Sequence, residues 1–407
     1  MERTSNAKKR VLRPRQVRGA NRVAMLQLLR HNEHMSRADL ARQSGLSEGT
    51  VSRMMTDLIA DALVCEDGAE NSTGGRPGRR LQLDPKRVAI GAEVQNWETR
   101  VAACSMRGRV VESRRFRTPA SAEETLELIA EAFEDCRRQL GSDRVPGIGI
   151  SARGIVNSDR GLLVHGNRPG WVSVPVRKIL ETRIQEPVYV ENNVRAAALA
   201  EYNYGSAEVY ASRVFLLVKV DEGIGMAIIL EGQLHYGPRM AAGEFGEMVI
   251  AMPNPARRHD RAGCLEELSS NPALCDRYAA ISGDRRSTAS GDTFARARRI
   301  VQAAAGGDKP AIESLTETAR CLGIGISNVV WGLDVDVVVI DGAITEAWHL
   351  LEPVIRKQMK IENQPEISVL LRPSAFGGDA ALIGAATLPF SSVFATGASQ
   401  SLAGVTA

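Results

Sequence analysis

The feature that most constrains this chain is an alternation of strand-like and helical segments between residues 88 and 389. Short apolar runs recur there, separated by stretches whose apolar residues have helical spacing. The pattern predicts strands at 88–94, 100–104, 109–117, 147–151, 188–191, 213–220, 223–230 and 335–340, and helices at 122–140, 193–204 and 314–333. Strands that alternate with helices indicate an α/β body, in which ligands bind at the carboxyl ends of the strands.

A different pattern precedes this body. Apolar residues with helical spacing predict a helix at 21–31, Ser36 is a suitable N-cap for a second helix at 37–43, and Gly45 marks a turn. Ser47 is the N-cap of a third helix. Its inward-facing residues would be Val51, Met54, Met55, Leu58 and Ile59. The spacing is that of a helix-turn-helix.

The residues after the third helix predict a wing, because strand-like runs at 63–66 and 80–83 flank a glycine-rich tip. In a winged helix-turn-helix, the first turns of the third helix enter the major groove, and an arginine at the wing tip can enter the minor groove. The residues predicted to contact DNA are Arg37, Ser47, Thr50, Ser52, Arg53, Arg76, Arg79 and Arg80. Taken separately, three helices could be a plain helical bundle, and an arginine-rich loop could be a solvated surface. The order of arm, helix-turn-helix and basic wing favours DNA binding over these alternatives.

Charge supports a nucleic-acid partner. Residues 1–90 carry 17 Lys and Arg against 10 Asp and Glu, a net charge of +7, whereas the remainder carries 34 against 38, a net charge of −4. The first 30 residues hold nine basic residues and one acidic residue. A basic arm on a near-neutral body indicates a polyanion partner such as double-stranded DNA, and the alternative for the arm alone is a solvated disordered tail.

Composition sets the class of protein. With 407 residues, 44% hydrophobic and 24% charged, the chain can bury the cores of two or three globular domains. It has no apolar run long enough to cross a membrane and no apolar stretch after its basic N-terminus to act as a signal peptide, so we expect a cytoplasmic protein. Its six cysteines form no CxxC pair, which indicates reduced thiols.

The motifs of the body resemble those of a known family. The segments are EVQNWETRVAACSMRGRVV, VYVENNVRAAALAEYNYG, DEGIGMAIILEGQLHYG, AAGEFGEMVI, AGCLEE and GGDAALIGAA. Together with the winged helix they resemble the ROK family (repressors, open reading frames, kinases), in particular its branch of N-acetylglucosamine and xylose repressors. The resemblance implies an α/β actin-like (ribonuclease H-like) domain whose two lobes close on a sugar.

The catalytic and nucleotide-binding motifs depart from those of the kinase members. Family kinases open with Asp-Ile-Gly-Gly-Thr-Lys, but here the stretch 93–98 reads EVQNWE. The second phosphate loop, Gly-Thr-Gly in kinases, has Glu222 before Gly223, which places a carboxylate near the phosphates. The catalytic base of the family corresponds to Asn193, and an amide cannot accept the proton. We therefore expect no enzymatic activity and no cofactor.

Sugar binding needs hydrogen-bonding side chains but no base. Carried over from the family motifs, the predicted effector-binding residues are Asn167, Asn192, Asn193, Glu244 and Glu247. Each has an alternative role as a cap or turn residue. Glu247 replaces a family histidine, which favours polyols or aminosugars over phosphorylated sugars. Arg195 has two possible roles. It could bind an acidic group of the ligand, which would favour a charged effector, or it could pair with Glu191.

The same substitution affects the zinc site that the resemblance implies. Of the family's ligands only Cys264 is retained, while His259 and Glu247 are of a type that can bind zinc. A three-ligand site is chemically possible, but a metal-free loop is the prediction, because Arg and Glu replace two of four ligands.

The predicted organisation is a basic arm at 1–20, a winged helix-turn-helix at 21–84, a ROK sensor domain at 88–389 and a flexible tail at 390–407. We expect a homodimer, or a dimer of dimers, that represses carbohydrate genes from a DNA operator and responds to a small carbohydrate-like effector. The alternatives are a sugar kinase with a DNA-binding appendage and a regulator switched by a protein partner.

Overall fold

The structure is a computed structural model that describes residues 14–69, 79–141, 145–252, 263–284, 292–360 and 368–394. The chain divides into two compact units. The first contains the residues up to Val88, with Ser105–Arg107 and the stretch from Pro389 onward, and the second contains Ala89–Cys104 and Gly108–Leu388. We call them the helical unit and the α/β unit.

The helical unit has the predicted order of three helices and a β-hairpin. Its elements are α1 (Pro14–His31), α2 (Arg37–Ser44), α3 (Glu48–Ala60), β1 (Val64–Ala69) and β2 (Arg79–Leu83). The strands pair antiparallel, with Val64 opposite Leu83. The inward face of α3 is as predicted, because Val51, Met54, Met55 and Leu58 are buried, while Ile59 is half-buried.

The first helix begins earlier than predicted, at Pro14, so residues 14–20 of the predicted arm are helical. Proline is favoured in the first turn of a helix, where its missing N–H costs nothing. Arg18 forms an ion pair with Asp57 of α3, and Arg22 forms one with Asp61, which directly follows α3, both at 2.6 Å. Two of the basic residues attributed to DNA attraction thus serve helix packing, and the rest of the predicted arm lies outside the described residues.

The strands of the α/β unit form two large sheets and one small one. They are β3 (Val88–Val94), β4 (Glu98–Ser105), β5 (Val110–Arg117), β6 (Ile148–Ala152), β7 (Gly154–Asn157), β8 (Leu162–Gly166), β9 (Val172–Val174), β10 (Val188–Asn192), β11 (Val214–Val220), β12 (Ile224–Leu230), β13 (Gln233–Leu234), β14 (Val337–Asp341) and β15 (Leu370–Pro373).

The two large sheets have the same topology. The first sheet has the order β5-β4-β3-β6-β10 and the second β13-β12-β11-β14-β15. In each, an antiparallel hairpin at one edge is followed by parallel strands. In this duplicated order β3 corresponds to β11 and β6 to β14. Ligands of open α/β folds bind at the carboxyl ends of such parallel strands. The small sheet has the order β7-β8-β9.

The helices of the α/β unit cover these sheets. They are α4 (Ala122–Leu140), α5 (Val176–Ile184), α6 (Asn193–Tyr204), α7 (Ala207–Ala211), α8 (Leu265–Ser269), α9 (Asn271–Ser282), α10 (Thr293–Ala305), α11 (Lys309–Leu333), α12 (Trp348–Met359) and α13 (Ala380–Thr387). Short 3-10 turns lie at Phe245–Glu247, Ala343–Ala347, Gly377–Asp379 and Leu388–Phe390.

Alternation along β11 explains how the second sheet is buried on both faces. Leu216 and Val218 belong to one apolar cluster, which includes residues of α10, α11 and α12. Phe215 and Leu217 belong to another, which includes residues of α6 and α13. Because successive side chains of a strand point to opposite faces, this sheet is the middle layer of three.

Helix α13 approaches its neighbours through glycine and alanine. A Cβ on Gly384 would lie 1.8 Å from the Ala196 carbonyl oxygen of α6. On the first sheet, a Cβ on Gly149 would lie 1.9 Å from the Ala385 carbonyl oxygen, and one on Gly91 would lie 2.5 Å from the Ala386 nitrogen. The backbones themselves are in contact, so these positions require glycine.

The segment predicted as a flexible tail begins with a helix, α14 (Ser391–Phe394). Within the helical unit, the guanidinium carbon of Arg30 lies 3.4 Å from the centroid of the Phe394 ring, and Arg30 is buried. A cation over an aromatic face is attractive, most of all away from water. This contact anchors residues 391–394, and the rest of the predicted tail lies outside the described residues.

Two further expectations concern composition. Cys104, Cys136, Cys264, Cys275 and Cys321 are buried, Cys65 is half-buried, and none of the six is in a disulfide. Among the described helices, none has the length and apolarity that a bilayer-spanning segment needs.

Substitution of Gly384 by alanine tests the backbone contact between α6 and α13. The new methyl group would overlap the backbone of Ala196, which cannot rotate away, so we expect a loss of about 3 kcal/mol in the free energy of unfolding. Chemical denaturation followed by circular dichroism measures it.

The matched control is Gly332→Ala in α11, where no atom lies within 4 Å of the added carbon. Alanine there should stabilise the helix by about 0.5–1 kcal/mol. Equal effects of the two substitutions would contradict the packing argument.

Candidate functional site

The helix-turn-helix is held by local capping. The Ser36 hydroxyl accepts from the Asp39 N–H at 3.1 Å, and the Asp39 carboxylate accepts from the Ser36 N–H at 3.1 Å. This reciprocal box satisfies two N–H groups that a helix start leaves open. Gly45 adopts φ 70°, and its N–H donates to the Ala41 carbonyl. The sharp turn before α3 therefore follows directly from the sequence.

The outward face of α3 carries the predicted DNA-contacting side chains. Ser47 caps the helix by accepting from the Thr50 N–H at 3.3 Å, and its hydroxyl lies 2.9 Å from that of Thr50. Ser52 and Arg53 are exposed, and Thr50 is half-buried. A hydroxyl and a guanidinium on the first turns of such a helix are suited to base edges and phosphates.

Two of the arginines predicted to contact DNA form ion pairs within the chain. Glu66 of β1 forms ion pairs with Arg37 of α2 at 2.9 Å and Arg79 of β2 at 2.5 Å. Hydrogen bonds from Arg79 and Arg37 hold the pKa of the Glu66 carboxyl below its usual range. These arginines fix the hairpin to the second helix. Arg80 is exposed, and Arg76 lies outside the described residues.

A pocket of about 240 Å³ opens in the α/β unit beside the ends of β6, β10 and β11. Pockets that bind drug-sized molecules measure about 300–1,000 Å³, so this one has the size for a small ligand. Asn167, Asn192, Asn193 and Glu244 line it as predicted. Glu247 is not among the residues that the described chain contributes to the lining, because it belongs to the adjacent 3-10 turn.

Asn192 has a structural role that its motif did not reveal. Its side-chain oxygen accepts from the N–H groups of Val194 at 2.8 Å and Arg195 at 3.2 Å, and its amide donates to the Gly154 carbonyl at 2.9 Å. It is the N-cap of α6, the alternative left open above. Asn193 follows as the first residue of this helix and is buried at the pocket wall.

Arg195 pairs with Glu191, which decides between its two predicted roles. Its Nε donates to the Glu191 carboxylate at 2.5 Å, and its other nitrogens donate to the carbonyls of Met240 at 3.0 Å and Val156 at 2.9 Å. Tyr236 donates to the other Glu191 oxygen at 3.1 Å, and burial raises the pKa of its hydroxyl. The charge of Arg195 is thus neutralised inside the protein.

Three carboxylates line the pocket, those of Asp221, Glu244 and Glu266. Glu244 is exposed to it, and partial burial raises the pKa of its carboxyl. Glu266 accepts from the Ile224 N–H at 3.0 Å, which fixes the loop before β12. Glu266 was not among the predicted residues, although only Leu265 separates it from Cys264.

The stretch that corresponds to the nucleotide-binding motif of the kinases is occupied by ion pairs. Glu93, at the end of β3, pairs with Arg100, which also binds Asp379 and the Gly378 carbonyl. Lys219 and Asp341, on the neighbouring strands β11 and β14, form a buried pair at 2.5 Å. Both groups of charges are therefore paired within the protein.

Several polar pocket residues were not predicted, namely Arg153, His165, Lys219, Asp221 and Glu266. Arg153 and Asp221 each directly follow a strand, and that position was the available signal. The possible zinc site is divided between a buried Cys264, the half-buried Glu247 and His259, which lies outside the described residues. In the described residues, no cluster of three such side chains is placed to hold a metal ion.

Comparison with known proteins identifies the family. A sequence profile of the ROK family matches residues 88–391. The chain belongs to the ROK family. A winged helix-turn-helix DNA-binding profile matches residues 20–61, which confirms the prediction for the helical unit.

Curated ROK relatives match over most of their length. The putative xylose repressor of Caldicellulosiruptor sp. (strain Rt8B.4) is 28% identical over 333 residues, covering 80% of this chain and 83% of that protein. The transcriptional dual regulator NagC of Escherichia coli K12 is 27% identical over 349 residues, covering 83% and 84%.

A solved structure matches the fold. It is the crystal structure of a ROK family transcriptional regulator, a homologue of the E. coli MLC protein, with a TM-score of 0.75 and 23% identity over 96% of this chain and 100% of that one. The predicted fold, a winged helix-turn-helix followed by a two-lobed actin-like domain, is confirmed.

Removal of Arg195 tests the electrostatics of the pocket wall. Arg195→Met leaves the Glu191 carboxylate buried without its cation, so we expect a loss of about 3–5 kcal/mol of stability. The double substitution with Glu191→Gln should recover most of the lost stability.

The control is Arg213→Met, which breaks an exposed pair with Glu231. It should cost less than about 1 kcal/mol in the same denaturation assay. Similar losses in both single variants would refute the argument.

Proposed function

We propose that this chain is a transcriptional repressor of carbohydrate genes that binds a sugar-like effector without phosphorylating it. The observation that carries the proposal is the combination, in one ROK chain, of an exposed recognition helix and a small polar pocket with Asn193 at the position of the base. The relatives named as xylose repressor and NagC support a DNA-binding regulator of sugar use.

The DNA-binding role rests on Ser52 and Arg53, which α3 exposes, and on Arg80 of the wing. Operators are pseudo-palindromic because dimers present two recognition helices, about 34 Å apart. We therefore infer a homodimer, or a dimer of dimers, on double-stranded DNA. Its place of action would be the cytoplasm.

The effector role rests on the pocket. Asn167, Asn193 and Glu244 offer donors and acceptors for vicinal hydroxyl groups. Effector binding would shift the sensor between two closure states and thereby release DNA. To change the occupancy of the DNA site from nearly full to nearly empty, the effector must bind one closure state more tightly than the other by about 5 kcal/mol.

The absence of phosphoryl transfer is also a proposal, and three features support it. Asn193 cannot accept a proton, Asp221 and Glu222 place carboxylates at the loop where kinases bind phosphates, and Glu93 is already paired with Arg100. Phosphoryl transfer depends on positioned cations and a base, so like charges at the phosphates oppose it.

The decisive experiment selects DNA sites from a random library with purified protein and then measures release of the best site by sugars, polyols and sugar phosphates. We expect a palindrome and release by one sugar class. A palindrome that no small molecule releases would favour a protein partner as the switch. Failure to select any site would overturn the proposal.

Arg53→Ala should weaken binding to the selected site by about 5- to 150-fold, because a bidentate arginine contact to a base contributes about 1–3 kcal/mol. The sequence preference should relax at one position, as read by repeating the selection. Arg138→Ala, an exposed arginine of α4, is the control and should change neither quantity. Unchanged affinity in Arg53→Ala would remove this residue from the interface.

Asn193→Asp tests the catalytic alternative. We expect no sugar-dependent release of ADP from ATP by the wild-type protein, and none after the carboxylate is restored, because the carboxylates of Asp221 and Glu222 remain. A coupled ADP assay with glucose, xylose and N-acetylglucosamine measures it. Sugar-dependent ADP release by the wild type would establish a kinase.

A further inference from the structure

One ion-pair cluster joins the two large sheets at the pocket. Arg153 directly follows β6 of the first sheet, and Asp221 and Glu222 directly follow β11 of the second. The Nη1 atom of Arg153 lies 3.1 Å from an Asp221 oxygen and 3.5 Å from a Glu222 oxygen. Asn96, between β3 and β4, donates to the same Glu222 oxygen.

The cluster is largely shielded from solvent. The side chains of Arg153, Asp221 and Glu222 are 10%, 14% and 21% exposed. Charges in such surroundings interact more strongly than surface pairs, because little water and salt screens them. The electrostatic balance of these groups therefore acts directly on any charge that enters the pocket beside them.

Asp221 is held in place by hydrogen bonds to Asn271 and Gly223. Its backbone carbonyl accepts from the Asn271 N–H at 2.8 Å, and its N–H donates to the Gly223 carbonyl at 2.9 Å. The Asn271 amide lies 3.4 Å from a side-chain oxygen of Asp221. The carboxylate is thus held where it meets Arg153.

Arg153 has unused hydrogen-bonding capacity. Its Nε is buried and has no hydrogen-bond partner among the described residues. A buried N–H of an arginine without an acceptor is unfavourable, so an oxygen supplied to it stabilises the arrangement. Arg153 and Asp221 both line the pocket, together with Asn192 and Asn193.

Resting on the function proposed above, we propose that Arg153 and Asp221 of the pocket lining, together with Glu222, which pairs with Arg153, determine the specificity of the pocket and select an uncharged polyol over its phosphate ester. Arg153 supplies a donor to a ligand hydroxyl oxygen. Its positive charge is already matched by two carboxylates, so the three side chains carry a net charge of −1 and repel a phosphate dianion.

The same side chain links ligand binding to the contact between the sheets. Arg153 belongs to the first sheet and binds residues of the second, so a ligand on Arg153 reinforces a bridge between the two. Its removal weakens both the ligand contact and the bridge.

The test compares Kd values by titration calorimetry for D-xylose, N-acetyl-D-glucosamine and N-acetyl-D-glucosamine 6-phosphate. In the wild type we expect a neutral sugar to bind and the phosphate ester to bind at least tenfold more weakly than its parent. Arg153→Met should weaken the neutral sugar at least tenfold. Arg153→Lys, which keeps the charge, should retain part of that affinity and controls for misfolding.

The double variant Asp221→Asn, Glu222→Gln gives a readout that a purely structural role would not move. It leaves the charge of Arg153 unmatched, so the preference for neutral sugar over phosphate ester should fall at least tenfold. Adding Arg153→Met to it should abolish the gain for the ester. Arg183→Met, which removes a surface pair with Glu127 on another face, should leave all three Kd values unchanged.

Three results would overturn the inference. They are equal binding of ester and parent by the wild type, an unchanged preference in the double variant, and no binding of any of the three probes by a protein that still selects its DNA site. Loss of site-selective DNA binding by the wild type would instead overturn the function proposed above, so the two failures are distinguishable.

Discussion

The pocket depends on one buried ion pair, between Arg195 and Glu191. Arg195 lies in the first turn of α6, and its guanidinium joins the end of β10, the carbonyl of Val156 in β7 and the carbonyl of Met240. Two charges removed from water are costly unless geometry and further hydrogen bonds compensate. Here every arm of the guanidinium has an acceptor and Glu191 has a second donor in Tyr236, so separate segments are held in one arrangement.

The helical unit was the most predictable part, since its determinants are local. Ser36, Gly45 and Ser47 act within three or four residues of their own position, and capping chemistry identifies them directly. In the α/β unit, the apolar pattern placed α4 at its observed bounds. The start of α1 was missed because a run of arginines resembles a solvated arm, whereas Arg18 and Arg22 find partners 39 residues away.

The pocket was only partly predictable for the same reason. Motifs carried over from the family brought Asn167, Asn193 and Glu244 to one cavity, but a motif cannot show which neighbour a charged side chain meets. Arg153 and Asp221 are 68 residues apart and belong to different sheets. Glu247 lies outside the pocket lining, at the end of the 3-10 turn that follows Glu244, and the motif did not show this difference between the two residues.

The glycine and alanine contact of α13 has a mechanical consequence. Where Gly384 meets Ala196, no side chain separates the backbones of α13 and α6, so the two helices cannot adjust to each other there by changing rotamers. Asn193 stands at the start of α6, at the wall of the pocket. We therefore expect a displacement of the pocket wall to move α6 and α13 together, whereas larger interlocking side chains would absorb part of it.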